Sequence, residues 1–234
     1  MQLDFTKEGL QEGQVLAFNK PYGWTSYYLV NKVRYYLCQY SGLKKLKVGH
    51  AGTLDPLATG LLILCTGRAT KKIIEIQNMP KEYLAEITFG ATTPSYDLET
   101  EIDKTYPVDH INEKVLYSAV RSFRGKIKQI PPLYSAKNLH GVRAYELARE
   151  GIEKELDPVE VEIFDIELLD FNSPVLKLRI NCSKGTYIRA IARDLGENLA
   201  SGAHLTSLVR TGTGRYILED AFDIINFKKK LNIL

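Results

Sequence analysis

The sequence predicts an α+β protein built on a mostly antiparallel sheet flanked by helices and loops. Three observations predict it. Strand-period and helix-period segments interleave along the chain, they follow no regular β-α-β rhythm, and no internal repeat or low-complexity linker divides them. The 234 residues are enough to bury a substantial core, and 44% hydrophobic with 25% charged residues is ordinary for a globular protein.

Taken in order, Gln14 to Phe18 reads as a short strand entering a turn at Pro21 and Gly23. Thr25 or Ser26 caps a helix whose Leu29, Val30, Val33, Tyr36 and Leu37 share one face, and Ser41-Gly42 ends it. The apolar run Leu61-Leu62-Ile63-Leu64-Cys65 is a buried strand. Tyr83, Ala85, Ile87 and Phe89 alternate with Leu84, Glu86 and Thr88, which is a strand period. Asn112 caps a helix carrying Val115, Leu116, Ala119, Val120 and Phe123, and Gly141 to Arg149 reads as another short helix. Val159 to Leu168 and Val175 to Cys182 are expected to pair as antiparallel strands. Thr186 to Leu199 reads as helix and Leu205 to Val209 as strand.

Composition excludes several classes. Cys38, Cys65 and Cys182 are odd in number and scattered, which argues against a disulfide framework or a zinc site. His50, His110, His140 and His204 show no metal-ligand spacing. The segment from Met1 to Gly13 is polar with acidic residues, unlike a secretory signal, and no apolar run approaches the ~20 residues that cross a bilayer. The chain is expected to be cytoplasmic and to hold no metal. A net charge of +3 announces no nucleic-acid binder, yet it conceals basic clusters at Lys44, Lys45 and Lys47, at Lys71 and Lys72, and at Arg121, Arg124, Lys126 and Lys128. Such clusters suit a polyanion; they are also what a solvated face looks like.

The most informative stretch runs from Lys47 to Gly60, Lys-Val-Gly-His-Ala-Gly-Thr-Leu-Asp-Pro-Leu-Ala-Thr-Gly. Gly49, Gly52 and Gly60 allow backbone angles other residues avoid, and Pro56 turns Asp55 away from the helical region. A carboxylate on a shaped loop anchored to a buried strand is well placed for chemistry. The plainer reading is an Asx-turn before a proline.

The stretch from Gly49 to Gly60 resembles the central motif of the TruB family of tRNA pseudouridine synthases. Asn19-Lys20-Pro21-Tyr22-Gly23-Trp24-Thr25-Ser26 resembles the family's first motif. Lys81-Glu82-Tyr83-Leu84-Ala85, Ile130-Pro131-Pro132-Leu133-Tyr134-Ser135-Ala136-Lys137 and Cys182-Ser183-Lys184-Gly185-Thr186-Tyr187-Ile188-Arg189 follow in the family's order. The resemblance implies the pseudouridine synthase fold, a large mixed, mostly antiparallel sheet. It also implies a single catalytic domain over residues 1–234, with an RNA-clamping insertion at about 129–151 that is poorly ordered without RNA. Bacterial members often carry a C-terminal RNA-binding PUA domain. The chain stops at Leu234, soon after Arg215, and leaves no room for one, whether by nature or by shortening.

The same resemblance implies site residues. Asp55 matches the essential carboxylate, as nucleophile or as base. Arg189 matches the arginine that pairs with it, where an adjacent guanidinium favours the ionised form; without the motif it is a cation on the first turn of a helix, against the dipole. Tyr83 matches the ring that stacks on the target base, Tyr187 a tyrosine lining the base pocket, and Leu208 an apolar residue closing it. Read alone, Tyr83 and Leu208 are core residues. His50 matches the residue that fills the gap left by flipped nucleotides, and read alone it is structural. Lys20, Lys137, Arg143 and Arg210 are candidate phosphate contacts. The implied partner is the T-arm of tRNA, with no cofactor, no protein partner and a monomeric state. The rivals are a protein that binds and remodels tRNA without modifying it, and an RNA-guided enzyme of the same chemistry.

Overall fold

The computed structural model describes residues 3–135, 138–139, 142–144 and 156–233. In chain order the first elements are α1 (Lys7–Glu12), β1 (Val15–Lys20), α2 (Ser26–Ser41), β2 (Val48–His50), β3 (Thr59–Thr66), α3 (Ile73–Asn78) and β4 (Lys81–Phe89). The short strands β5 (Ala91–Thr92) and β6 (Lys104–Thr105) precede α4 (Glu113–Arg121), β7 (Gly125–Gln129), β8 (Asn138–Leu139) and β9 (Val142–Arg143). Then come β10 (Val159–Asn172), β11 (Val175–Cys182), α5 (Ile188–Asn198), β12 (Ala203–Thr213), β13 (Tyr216–Ile217) and α6 (Ile224–Lys230). The chain divides into two compact units, one made of the residues up to Tyr83 and from Val209 onward, the other of Leu84–Leu208.

In the first unit, β1 and β3 pair antiparallel with Phe18 opposite Leu62, and β2 pairs antiparallel with β3. The C-terminal end of β12 joins β3 in parallel, Arg210 opposite Gly60. Every residue of β3 from Gly60 to Thr66 is buried, as its unbroken apolar run requires. Leu61, Ile63 and Cys65 pack in one cluster with Ala51, Ala69 and Ile76. Phe18 packs edge-on against Phe227, 4.8 Å between ring centres. The helix α2 begins where its cap predicts: the Thr25 side chain accepts from the Tyr28 backbone N–H, and Gly42 ends it at φ +69° in the left-handed region.

In the second unit the strand order is β4-β11-β10-β7. The β10–β11 and β10–β7 pairs are antiparallel. Strand β4 buries alternate residues, Tyr83, Ala85, Ile87 and Phe89 on one face. The α4 helix is capped by Asn112, as expected, and buries Leu116 and Val120. The α+β class and the mostly antiparallel pairing agree with the sequence expectation. Strands β10 and β12 run longer than their apolar patterns suggested, because ladder pairing continues past the last alternating residue.

One element differs. The helix expected over Gly141 to Arg149 does not start there, because Val142–Arg143 is extended and paired with Asn138–Leu139. Cross-strand pairing overrode a local helical pattern. Ala144 is helical, and the rest of that helix, Lys137, and most of the expected clamping segment lie outside the described residues.

Candidate active site

The Asp55 loop is held by its own backbone. Gly52 and Gly60 both have φ of +97°, the conformation the glycines were expected to supply. A side chain at Gly60 would also collide with the Arg210 backbone beside it. Gly49 is different. It is extended in β2, and its smallness serves packing instead, since a Cβ there would lie 2.7 Å from Ile73 Cδ1. Asp55 and Ala58 close a turn, the Ala58 N–H donating to the Asp55 carbonyl at 3.1 Å.

Three side chains from distant parts of the first unit grip this loop. Arg210, 1% exposed, donates from Nε to the Leu61 carbonyl at 2.7 Å and from Nη2 to the Gly52 carbonyl at 3.0 Å. Ser26 Oγ donates to the Leu54 carbonyl at 3.0 Å and accepts from the Leu54 N–H at 2.9 Å. Lys20, 0% exposed, donates from Nζ to the carbonyls of Pro21, Trp24 and Pro56 at 3.0, 2.6 and 3.1 Å. The Pro56 carbonyl also accepts from the Gly23 N–H at 2.9 Å. The peptide groups on both sides of Asp55 are therefore pinned, which limits how far the half-buried carboxylate can wander.

These placements correct two expectations. Lys20 and Arg210 were candidate phosphate contacts, but both are buried and direct the donors described above at the chain's own carbonyls. They position the loop. Their charges are still felt within the unit. Burial lowers the Lys20 ammonium to about 8, the Asp55 carboxylate working against that and Arg210 adding to it. The His50 imidazole is held below its ordinary range, first by burial and then by the Arg210 charge, with a backbone contact at Gly52 opposing. His50 Nδ1 is buried with no hydrogen-bond partner among the described residues. The first unit thus brings Lys20, His50, Asp55 and Arg210 into one electrostatic neighbourhood. Tyr83, 8% exposed, is its last residue on β4.

The second unit carries Tyr187, Arg189 and Leu208. Tyr187 stands at the N-cap of α5, where the Gln129 side chain bonds both its N–H (2.8 Å) and its carbonyl (3.1 Å). Arg189, 3% exposed, donates to the carbonyls of Ser95 (3.1 Å) and Tyr134 (2.8 Å) and lies 3.5 Å from the Asp97 carboxylate. It is no solvated surface cation, so the awkward dipole position is offset by specific acceptors. Leu208 is half-buried on β12. Arg143 is placed by its backbone alone, on β9. Ser26, Gln129 and the Asp97 partner of Arg189 carry no site signal in the sequence: Ser26 reads as a possible helix cap, Gln129 sits at the edge of the expected insertion, and Asp97 stands outside the matched motifs. Among the described residues no cluster of histidine, cysteine or carboxylate side chains is placed to hold a metal ion.

Comparison with known proteins adds to this geometry. A family profile described as TruB family pseudouridylate synthase (N terminal domain) matches residues 40–188. A relative from Bacteroides fragilis named tRNA pseudouridine synthase B is 58% identical over 217 residues, 93% of each chain. One of the same name from Flavobacterium johnsoniae is 51% identical and covers 97% of this chain and 99% of its own. Among solved structures, a Cbf5-Nop10-Gar1 complex includes a chain with TM-score 0.70 and 26% identity. The match covers 96% of this chain but 58% of that one.

Proposed function

We propose that this chain, which belongs to the TruB family of pseudouridylate synthases, converts the T-loop uridine at position 55 of tRNA into pseudouridine. The reaction breaks the C1′–N1 bond, turns the base, and joins C5 to C1′. The proton on C5 is lost while N1 gains one, so no atom enters or leaves overall. It calls for a carboxylate at the sugar and a surface on which a base can turn. Asp55 supplies the carboxylate. The pinned peptide groups at Leu54 and Pro56 hold it in place, so less orientational freedom is lost on reaching the transition state.

The remaining roles follow the family resemblance. Arg189 keeps the catalytic carboxylate ionised. Tyr83 stacks on the base, worth about 1–3 kcal/mol and tolerant of rotation, while Tyr187 and Leu208 line and close its pocket. His50 fills the gap left in the RNA stack, with the extrusion of the nucleotide costing a few kcal/mol. An imidazole held below its ordinary range suits that role, since the half-buried ring then carries no charge to desolvate.

What carries this reading is the likeness, over nearly the whole length of both chains, to relatives that bear the tRNA-directed name. The test is pseudouridine formation in an unmodified tRNA transcript by the purified chain and by Asp55→Asn. The parent is expected to modify the transcript, the variant to bind it without modifying it, and a transcript with cytidine at position 55 to yield none. A parent that binds tRNA and leaves it unmodified would transfer the assignment to a binding or remodelling protein.

A further inference from the structure

Away from the Asp55 loop, the first unit carries two adjoining open grooves of about 550 and 340 Å³. Arg34, Tyr35, Lys44, Lys45 and Lys47 line the larger. Lys45 and Lys47 also border the smaller, where Arg68 and Lys71 join them. No carboxylate lines either groove. Arg68 is partly neutralised by Glu12 at 2.7 Å, and Arg34 donates to Asn31 at 2.7 Å. Lys44, Lys45, Lys47 and Lys71 are exposed.

The lysine ribbon is fixed rather than loose. Leu46 is buried between Lys45 and Lys47, and the Lys47 carbonyl accepts from the Gly67 N–H at 2.9 Å. The ribbon runs directly into β2, which ends at His50. Closely spaced ammonium groups on a fixed backbone repel one another unless an anion sits between them. A protein partner would want a central apolar anchor, and the groove's one aliphatic side chain, Leu46, is turned into the core. Tyr35, 53% exposed, adds beside the cations a hydroxyl that accepts from Gln39 Nε2 at 2.7 Å.

We propose that this groove binds the phosphate backbone of the RNA substrate at a stretch flanking the reacting nucleotide. The inference rests on the pseudouridine synthase reading and adds where the neighbouring RNA is held. It replaces Lys20 and Arg210, whose burial removes them as phosphate contacts, with a surface that can take that role.

The test is the affinity of the full chain for unmodified tRNA transcript as salt is varied. Lys44→Gln/Lys45→Gln/Lys47→Gln is compared with a charge-matched control, Lys104→Gln/Lys114→Gln/Lys229→Gln, whose residues are exposed elsewhere. The groove variant is expected to raise Kd roughly ten- to hundredfold near 0.1 M salt and to reduce the log–log salt slope by about 2–3. Its single-turnover rate at saturating enzyme should equal the parent's. Equal Kd and slope in the groove and control variants would overturn the proposal, whether because the lysines are merely solvated or because they serve an acidic protein. The same titrations in the Asp55→Asn background keep the two readings apart. A parent that binds tRNA without modifying it sinks the catalytic assignment while the Kd comparison still decides the groove; a parent that does not bind tRNA overturns both.

Discussion

Arg210 and Arg189 are both large cations withdrawn from water, and each lies beside a segment the sequence marks. They are satisfied differently. Arg210 donates to two carbonyls, Leu61 and Gly52, so its charge persists in the first unit and is felt by His50 and Lys20. Arg189 also donates to two carbonyls, and in addition the Asp97 carboxylate stands 3.5 Å from it. A buried cation can therefore serve as a brace that leaves a positive field, or as half of a buried pair. The first arrangement suits a loop presenting a carboxylate. The second sets a carboxylate beside the cation at a helix start, where the dipole alone would disfavour it.

Removing Arg189 should be the costlier change. Arg189→Met leaves the buried Asp97 carboxylate with the Glu99 N–H but without this cation, and is expected to lower stability by about 3–5 kcal/mol in a denaturant titration. Adding Asp97→Asn should recover part of that loss. No recovery would mean that the Asp97 pair does not set the cost.

Arg210→Met strands no carboxylate and leaves two carbonyls without these donors, so a smaller loss of about 2–4 kcal/mol is expected. Its signature is functional as well. The single-turnover rate at saturating tRNA should fall while Kd stays near the parent value, because the Asp55 loop loosens. With the neighbouring charge gone, the His50 pKa should rise in an NMR titration.

The smallest effect concerns Lys20. Its pKa is lowered to about 8 from an ordinary 10.5, so between those pH values the unfolded chain binds more protons than the folded one. Stability contributed by this site should therefore rise with pH across that window, and the cost of burying the ammonium is fully present below it. Lys20→Met removes the slope. Comparing unfolding midpoints of parent and variant at pH 7.5 and pH 10 checks this, and parallel pH curves would reject it.

Much of the fold was legible because its signals are short-ranged. A Thr cap three residues before the N–H it satisfies, alternation along β4, and an apolar run at β3 all act within a turn or a strand. The extended pair at Val142–Arg143 was missed because its stabilising partner is another segment, and local pattern carries no record of that. The candidate site was legible in its motifs but not in its supports. Ser26 looks like a cap, but Thr25 takes that role and Ser26 bonds Leu54, which requires the loop to be folded against α2.

What the sequence determined alone is the kind of protein and the residues to watch. The α+β class, the glycine-shaped loop around Asp55, and the motifs carrying Tyr83, Tyr187 and Arg189 are written in residue types whose preferences are local. What tertiary structure decided is which of the cations face solvent. Arg210 meets carbonyls 149 and 158 residues away, and Arg189 meets one 94 residues away. Lys44, Lys45 and Lys47 stay exposed although Leu46 between them is buried. Charge is a property of the residue, but desolvation is a property of the fold, and it is desolvation that turned two expected phosphate contacts into braces.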